Sequence, residues 1–410
     1  MNWTRGRCWS GTGRMVGVIA CALVGWTVSA RAEGDKVLPE LDVDAKAAAI
    51  IESLDDHTGA MLPPARIVGE FGPIAKALGL DRHGPQGRDF TIKMAWAPDR
   101  ERAFFCGANH GAPHKLNDVW EYDLAANAWI CQWDPDYNNR GGWDEKGNSK
   151  TTFNKDGIRV TEKGAPVARS HTWWGLTYDP VRRAMLWMSR PEYKDKDEGE
   201  NKGWPALFAF RPYEAKWHLR KIPIDRGGFH VPGQALEYIP ELHGAIWWAN
   251  RGGRGNMYLL PSQTNTCVKL ETKGDKGTYP SGYDAIMAYD SEHRVIATRG
   301  GRGSYQATFH FDVDSLTWTR IGVETNVPSA HDKRTLFGYD PVGRVCLMAD
   351  LVSDTLWSYS VEDRTWKQLP VKGEAQPNWP NTAGYFDPAR NVFVLVSRRK
   401  VWVYRNKRNG

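Results

Sequence analysis

The segment LWSYSVEDRTW, Leu356–Trp366, carries the pattern that decides the fold. Aromatic residues alternate with small or polar ones at its start, which is typical of a strand with one buried face. Polar turn-forming residues follow, and Trp366 closes the unit nine positions after Trp357. The unit therefore predicts a hairpin between two antiparallel strands.

The same unit recurs along the chain. Complete copies start at Val119, Leu207, Met257 and Thr308, and a shorter one starts at Val401. Their leading aromatic residues lie at positions 120, 208, 258, 309, 357 and 402, in steps of 88, 50, 51, 48 and 45 residues. A period near 50 residues predicts the blades of a β-propeller.

A second recurrent segment precedes each hairpin, as in TYDPVRRAMLWMS at Thr177–Ser189 and GYDPVGRVCLMAD at Gly338–Asp350. Proline presets the turn dihedral, and the aspartate can accept hydrogen bonds from the turn amides. Two hairpins per repeat give four antiparallel strands. The sequence thus predicts an all-β fold, a six-bladed propeller of four-stranded antiparallel blades, and leaves a seventh blade open.

With these segments in place, the chain resembles the kelch-repeat β-propellers, the type found in the central domain of galactose oxidase. The resemblance covers roughly residues 90–404 and predicts the fold but little about function. Diglycine occurs in two blades only, and Cys267 stands where the other copies have tryptophan. The residues that carry the resemblance are Gly252, Gly253, Gly300, Gly301, Trp129, Trp217, Trp318 and Trp366.

Residues 1–32 have the composition of a secretory signal peptide. Arg5, Arg7 and Arg14 precede an apolar run, and Ala30 and Ala32 offer small residues for cleavage after Ala32. A lipoprotein alternative would use Cys21. We expect a secreted or periplasmic protein without a membrane span, because no other apolar stretch is long enough.

The charge balance argues against nucleic acid as a partner. The formal net charge is +6, but residues 1–32 contain four arginines and no acid, so the remainder has 50 basic and 48 acidic residues, a net of +2. So small an excess gives the protein no overall positive potential that would attract the phosphate backbone of a nucleic acid. We expect a monomer.

Residues 33–89 form an N-terminal segment before the propeller at 90–410. Asp44 can cap a helix that carries Ala47, Ile50, Ile51 and Leu54 on one face. The last hairpin copy would close at position 411, one past the end of the sequence. We therefore expect a closing strand at about 65–71 to complete the last blade and remove its exposed edge.

A polar insertion occupies residues 134–164. Asp134, Asp136, Asn138 and Glu145 lie at positions 1, 3, 5 and 12 of an EF-hand loop, a spacing of oxygen ligands that suits Ca²⁺. No predicted helices flank this loop, so a solvated loop is the alternative. No other cofactor motif is present. Four cysteines remain after the leader, and their spacing predicts free thiols in strands, with disulfides left open: Cys106, Cys131, Cys267 and Cys346.

The segments that start the first strand of each blade and the loops from second to third strand lie on the same face of a propeller. Arginine and histidine are frequent in these segments, although the whole molecule is near neutral. Arginine offers a planar fork for carboxylate or sulfate groups. We predict ligand contacts from His110, Arg169, His171, Arg190, His230, Arg251, Arg254, Arg299, Arg302 and His331.

Tryptophans outside the hairpin pattern are a second indication of ligand binding. Trp143, Trp204 and Trp379 fall in loops, where their rings can stack on sugars, and the remaining ones are expected to pack between blades. Together, the arginines and tryptophans favour a binding module for carbohydrate, including acidic carbohydrate, or for another extracytoplasmic partner such as a protein.

Two enzyme classes are the alternatives. The resemblance to exported kelch sialic-acid epimerases implies a sugar-acid-modifying enzyme, with a base such as Asp89, Asp284 or Asp332 beside Arg169 or Arg334. A copper oxidase of the galactose oxidase type would use candidates such as His171, His331, Tyr283 and Cys106, but no motif joins them. Non-enzymatic binding is the favoured interpretation.

Overall fold

The structure is a computed structural model. It describes residues 40–88, 91–107, 116–138, 147–167, 172–194, 204–224, 234–249, 256–275, 277–280, 285–300, 306–331 and 334–408. The chain divides into two units, Met1–Asp35 and Lys36–Gly410, and every described residue belongs to the second. The predicted signal peptide at 1–32 lies outside the described residues.

The N-terminal part combines short helices with two short strands. Its elements are α1 (Ala45–Ser53), β1 (Thr58–Met61), β2 (Arg66–Val68), α2 (Pro73–Leu78) and α3 (Leu80–His83). Asp44 caps α1 as predicted, because its Oδ1 accepts hydrogen bonds from the backbone N of Lys46 (3.1 Å) and Ala47 (3.0 Å). The predicted apolar face is confirmed, with Ala47, Ile51 and Leu54 buried.

Four-stranded antiparallel sheets make up the rest. The first blade has β3 (Ala95–Ala97), β4 (Arg102–Phe105), β5 (Val119–Asp123) and β6 (Ala128–Trp133). A separate hairpin, β7 (Thr151–Phe153) and β8 (Arg159–Thr161), follows within the insertion. The second blade has β9 (Leu176–Asp179), β10 (Ala184–Ser189), β11 (Ala206–Arg211) and β12 (Lys216–Lys221), and the third has β13 (Ala235–Ile239), β14 (Gly244–Trp248), β15 (Met257–Pro261) and β16 (Val268–Leu270).

The fourth blade has β17 (Ile286–Asp290), β18 (Val295–Arg299), β19 (Ala307–Asp312) and β20 (Thr317–Val323). The fifth has β21 (Thr335–Asp340), β22 (Val345–Asp350), β23 (Thr355–Ser360) and β24 (Thr365–Leu369). After the short β25 (Lys372–Gly373), the sixth has β26 (Ala383–Asp387), β27 (Val392–Ser397) and β28 (Lys400–Arg405).

The first strands of the blades form a closed ring. β3 contacts β9, β9 contacts β13, and the series continues through β17, β21 and β26 back to β3. The described residues therefore form a six-bladed propeller, as the 50-residue period predicts. The seventh blade that the repeat spacing left open is not formed by these residues.

The last blade takes its outer strand from the N-terminal part, but not from the segment predicted. β1 pairs antiparallel with β28 and parallel with β25, whereas β2 pairs parallel with β6 of the first blade. The expectation that residues 65–71 close the last blade was therefore wrong. The sequence of β1, TGAM, has no alternation of apolar residues, so periodicity could not single it out.

The nine-residue spacing from the leading aromatic residue to the closing tryptophan follows from the strand pairing. The second aromatic residue, two positions after the leading one, lies directly opposite the closing tryptophan across the outer hairpin. Such aromatic pairs add about 0.5–1.5 kcal/mol beyond the burial of their area. The pairs and their ring-centroid distances are Tyr122–Trp129 (5.1 Å), Phe210–Trp217 (5.2 Å), Phe311–Trp318 (5.0 Å) and Tyr359–Trp366 (4.8 Å).

The predicted turn aspartates accept hydrogen bonds from the turn amides. Asp340 Oδ1, for example, accepts from the backbone N of Val342 and Gly343, both at 2.9 Å. The equivalent aspartates are Asp179, Asp290 and Asp387. The four cysteines after residue 32 are free thiols, as predicted, and Cys131 and Cys346 lie in strands, whereas Cys106 and Cys267 lie next to strand ends.

Candidate functional site

The predicted arginine and histidine surface lies largely outside the described residues, so its arrangement stays a prediction. The residues concerned are His110, Arg169, His171, His230, Arg251, Arg254 and Arg302. Arg190 is exposed directly after β10, and His331 is half-buried, with its backbone N donating to Thr335 Oγ1 at 2.9 Å.

Arg299 is the exception, because the structure contradicts the prediction that its side chain contacts a ligand. Its side chain is fully buried, and its guanidinium donates to Glu324 Oε2 (2.7 Å), Val327 O (2.7 Å) and Pro328 O (3.0 Å). It also lies 5.5 Å from the ring centroid of Trp366. Burial lowers its pKa to about 10. Arg299 therefore ties the end of β18 to the segment after β20.

The proposed calcium ligands are held by separate hydrogen-bond donors. Asp134 Oδ2 accepts from Gly72 N at 3.0 Å, and Asp136 Oδ1 accepts from Asn117 Nδ2 at 2.6 Å. The other oxygens, Asp134 Oδ1 and Asp136 Oδ2, are buried without a hydrogen-bond partner among the described residues. Burial, together with the nearby acids, raises the pKa of Asp134 to about 6.

Asn138 exchanges backbone hydrogen bonds with the Asn148 amide, and Glu145 lies outside the described residues. No group of three His, Cys, Asp or Glu side chains within the described ranges is arranged to hold a metal ion. The two carboxylate oxygens without hydrogen-bond partners suit a cation, and calcium binding at this loop stays a prediction.

A buried ion pair joins distant blades through the inner ring. Lys93 Nζ donates to Glu237 Oε1 (2.5 Å) and Leu236 O (2.8 Å) and lies 5.6 Å from the Trp174 ring centroid. Lys93 pairs with the first strand of the sixth blade, whereas Glu237 belongs to β13 of the third. Burial lowers the pKa of Lys93 and raises the pKa of Glu237. Since each side chain already binds the other, neither is poised as an open acid or base.

A cleft with exposed charges lies where the insertion packs against the second blade. Asn154, in the β7–β8 turn, donates through Nδ2 to Leu219 O of β12 at 3.2 Å. Its Oδ1 accepts from the backbone N of Asp156 and Ile158, both at 3.0 Å, which fixes the turn. Asp156 Oδ2 accepts from the backbone N of Lys221 at 3.3 Å. One wall of the cleft is thereby attached to the outer strand of the blade.

The other wall is the segment after β10. The backbone N of Arg159 donates to Glu192 O at 2.8 Å, and their side chains form an ion pair at 3.1 Å. The backbone N of Lys194 donates to Gly157 O at 2.9 Å. The hydroxyl of Tyr193, whose ring is buried, donates to a backbone carbonyl at 3.3 Å. These bonds hold the two walls at a fixed separation.

We call this site the lysine cleft. Its volume is about 570 Å³, which lies within the range of small-molecule sites. Lys221 Nζ lies 4.3 Å from the ring centroid of Trp204 and 5.8 Å from that of Tyr193, so two aromatic rings hold the ammonium group. The lining residues are Asn154, Lys155, Asp156, Gly157, Tyr193, Lys194, Trp204, Lys221 and Pro223.

Trp204, one of the three loop tryptophans predicted to meet a ligand, lines this cleft and is half-buried. Trp379 is half-buried elsewhere, 5.8 Å from Lys400 Nζ, and Trp143 lies outside the described residues. Sequence reasoning does not single out the remaining cleft residues, because no repeat unit or motif marks them. Trp204, a tryptophan outside the hairpin pattern, is the signal in the sequence. Tryptophans expected to pack between blades are buried, among them Trp174, Trp187, Trp247 and Trp248.

Comparisons with known proteins give similarity in structure only. No protein-family profile matches the chain, and no curated protein sequence matches it. TolB from Acinetobacter baumannii is 12% identical, with a TM-score of 0.37, over 70% of this chain and 55% of that one. The match thus spans about half of the TolB chain.

Two lyase structures are also similar. A catalytically inactive virginiamycin B lyase from Staphylococcus aureus with quinupristin is 9% identical, with a TM-score of 0.43, over 85% of this chain and 99% of that one. A streptogramin B lyase is 10% identical, with a TM-score of 0.40, over 78% and 94%. Within the part of the chain that the structure describes, no helix is long and apolar enough to cross a membrane.

Proposed function

We propose that this chain is an exported kelch-type propeller that binds an acidic carbohydrate in the lysine cleft. One observation carries the proposal: three lysines and two aromatic rings line a concave site whose walls are held by backbone and side-chain hydrogen bonds. Such a site combines an apolar base with a small number of placed polar groups, as binding pockets for small molecules do.

The charge of the cleft favours an acid over a neutral sugar. Lys155, Lys194 and Lys221 supply three positive charges and Asp156 one negative charge, a balance of 3 − 1 = +2. A carboxylate on the ligand would neutralise part of this excess. Lys221 is the best placed to meet it, because its ammonium group already contacts the Trp204 and Tyr193 rings and loses little freedom on binding.

Other parts of the proposal rest on the sequence. The kelch assignment is supported by the hairpin units and their aromatic pairs, and export by the composition of residues 1–32. The arginine and histidine surface, without Arg299, remains a proposed second contact area. The proposal is confined to binding, since the predicted bases Asp89, Asp284 and Asp332 lie outside the described residues. Arg334, which with Arg169 is one of the two arginines predicted beside these bases, donates to Leu351 O and Asn378 Oδ1.

The test is calorimetric titration of the purified chain with a galacturonic acid trisaccharide and with the corresponding neutral galactose trisaccharide. We expect the acidic sugar to bind and the neutral one to bind at least tenfold more weakly. Lys221→Met removes the charge but keeps the apolar stem, and we expect it to weaken the acidic sugar about tenfold, the value of one charge-assisted hydrogen bond.

Lys269→Met is the matched control, because Lys269 is an exposed lysine on β16, the outer strand of the third blade. It should leave the affinity unchanged. The proposal fails if Lys221→Met binds the acidic sugar as tightly as the unaltered chain, or if both sugars bind equally well.

A further inference from the structure

A second charged cleft lies where the N-terminal segment passes from the sixth blade to the first. It has a volume of about 680 Å³ and is lined by Arg66, Ile67, Val68, Asp81, Arg82, His83 and Arg399. These residues come from β2, from α3 and from the turn between β27 and β28. We call it the guanidinium cleft.

Two of its arginines are anchored by the backbone while keeping donors available. Arg66 Nη2 donates to Asp42 O and Ala126 O, both at 2.9 Å, and Arg399 Nε donates to Ala65 O at 2.8 Å. Within the described residues, neither Arg66 Nη1 nor the two terminal nitrogens of Arg399 make a hydrogen bond. Their guanidinium groups are thus positioned with unused N–H donors.

Arg82 is the third arginine of the cleft. Its side chain is 72% exposed and its Nε lies 3.9 Å from Asp81 Oδ1, which is too long for a hydrogen bond. The three arginines and Asp81 give the cleft three positive charges and one negative charge, a balance of 3 − 1 = +2. Like charges gathered at one site repel each other unless an anion is bound between them.

We propose that the guanidinium cleft binds a phosphate monoester. Guanidinium groups present pairs of N–H donors that match the oxygens of a phosphate group. A phosphate monoester carries about two negative charges near neutral pH, which equals the excess in the cleft. The volume exceeds what a lone tetrahedral anion needs, and Ile67 and Val68 of β2 line the cleft beside the charged residues, which leaves room for an organic group.

This inference stands apart from the proposed function, because the two clefts share no residue. The experiment is titration of the purified full chain with glucose 6-phosphate, inorganic phosphate, glucose 6-sulfate and glucose. We expect glucose 6-phosphate to bind most tightly, inorganic phosphate and the singly charged sulfate ester more weakly, and glucose not at all.

The variants Arg82→Gln and Arg399→Gln should each weaken glucose 6-phosphate at least tenfold. Arg82→Gln should leave the melting temperature of the ligand-free chain unchanged, because the Arg82 side chain makes no hydrogen bond within the described residues. Arg320→Gln, at an exposed arginine on β20, should have no effect. Lys221→Met should also leave the binding of glucose 6-phosphate unchanged. A failure of the phosphate proposal can therefore be told apart from a failure of the proposed sugar site in the lysine cleft. The proposal is overturned if both cleft variants bind as well as the unaltered chain, if Arg320→Gln weakens binding equally, or if no phosphate binds. It is also overturned if inorganic phosphate or the sulfate ester binds as tightly as glucose 6-phosphate.

Discussion

At the scale of single residues, the closing tryptophans explain why the repeat is readable in the sequence. Trp318 is buried, and its ring lies 5.0 Å from that of Phe311, the residue directly opposite in the strand pair. Trp366 makes the same pair with Tyr359 but is half-buried. Equal positions in the repeat therefore differ in how much apolar area they bury.

This difference in burial predicts that the same substitution lowers the free energy of unfolding by different amounts at the two positions. Trp318→Ala should lower the free energy of unfolding by about 3–5 kcal/mol, because it removes a large buried ring and leaves a cavity. Trp366→Ala should cost clearly less, since part of its ring is already in water. Urea denaturation measures both values, and equal losses for the two variants would contradict the assignment of burial.

The raised pKa of the Asp134 carboxyl predicts that the stability of the protein depends on pH. Its folded-state pKa is raised to about 6 from an ordinary value of 3.8, so the folded protein favours the protonated carboxyl. The resulting stabilisation is complete below about pH 4 and is lost as the pH rises through 6. In calcium-free buffer, the difference in stability between the unaltered chain and Asp134→Asn should therefore move in favour of the unaltered chain as the pH falls from 7 to 4.

Asp363→Asn, at an exposed hairpin aspartate, should show no such change relative to the unaltered chain. Thermal melts at a series of pH values provide the comparison. Calcium gives a second readout at pH 7: if the ion binds here, it should raise the melting temperature of the unaltered chain and not that of Asp134→Asn. A calcium shift of equal size in both would remove this site from consideration.

At the scale of elements, β1 completes the last blade, and Gly59 is the residue that makes this fit. Gly59 lies opposite Tyr404, where other blades place a tryptophan opposite the equivalent aromatic residue. A Cβ atom at Gly59 would come within 2.5 Å of Glu374 O and 2.7 Å of the Trp402 ring. The space that a closing tryptophan would need is therefore already taken by β25, the segment after it and Trp402.

Gly59→Ala should destabilise the protein by about 1–3 kcal/mol, the usual cost of overpacking a closed site. Thr58→Ala, at the half-buried neighbour on the same strand, should cost less than 1 kcal/mol. Denaturant unfolding of the two variants tests whether β1 is packed as described. A Gly59→Ala variant as stable as the unaltered chain would show that β1 does not close the blade in this register.

At the scale of the whole molecule, the sequence was sufficient to predict the ring but not the sites. Blade number, turn aspartates and the α1 cap follow from local patterns. Trp204 is predicted to contact a ligand because it has no place in the repeat. The lysine cleft joins residues near 154, 193, 204 and 221, which no periodicity relates. The role of Arg299 was missed for a similar reason, because its partner Glu324 belongs to a turn 25 residues away.

We propose the lysine cleft as the carbohydrate site of this propeller. The most direct measurement is a crystal structure of the chain grown with the galacturonic acid trisaccharide. We expect a sugar bound between the β7–β8 turn and β12, with a carboxylate within hydrogen-bonding distance of Lys221 Nζ. A sugar bound elsewhere on the propeller, or a cleft that stays empty while the sugar is present in excess, would contradict it.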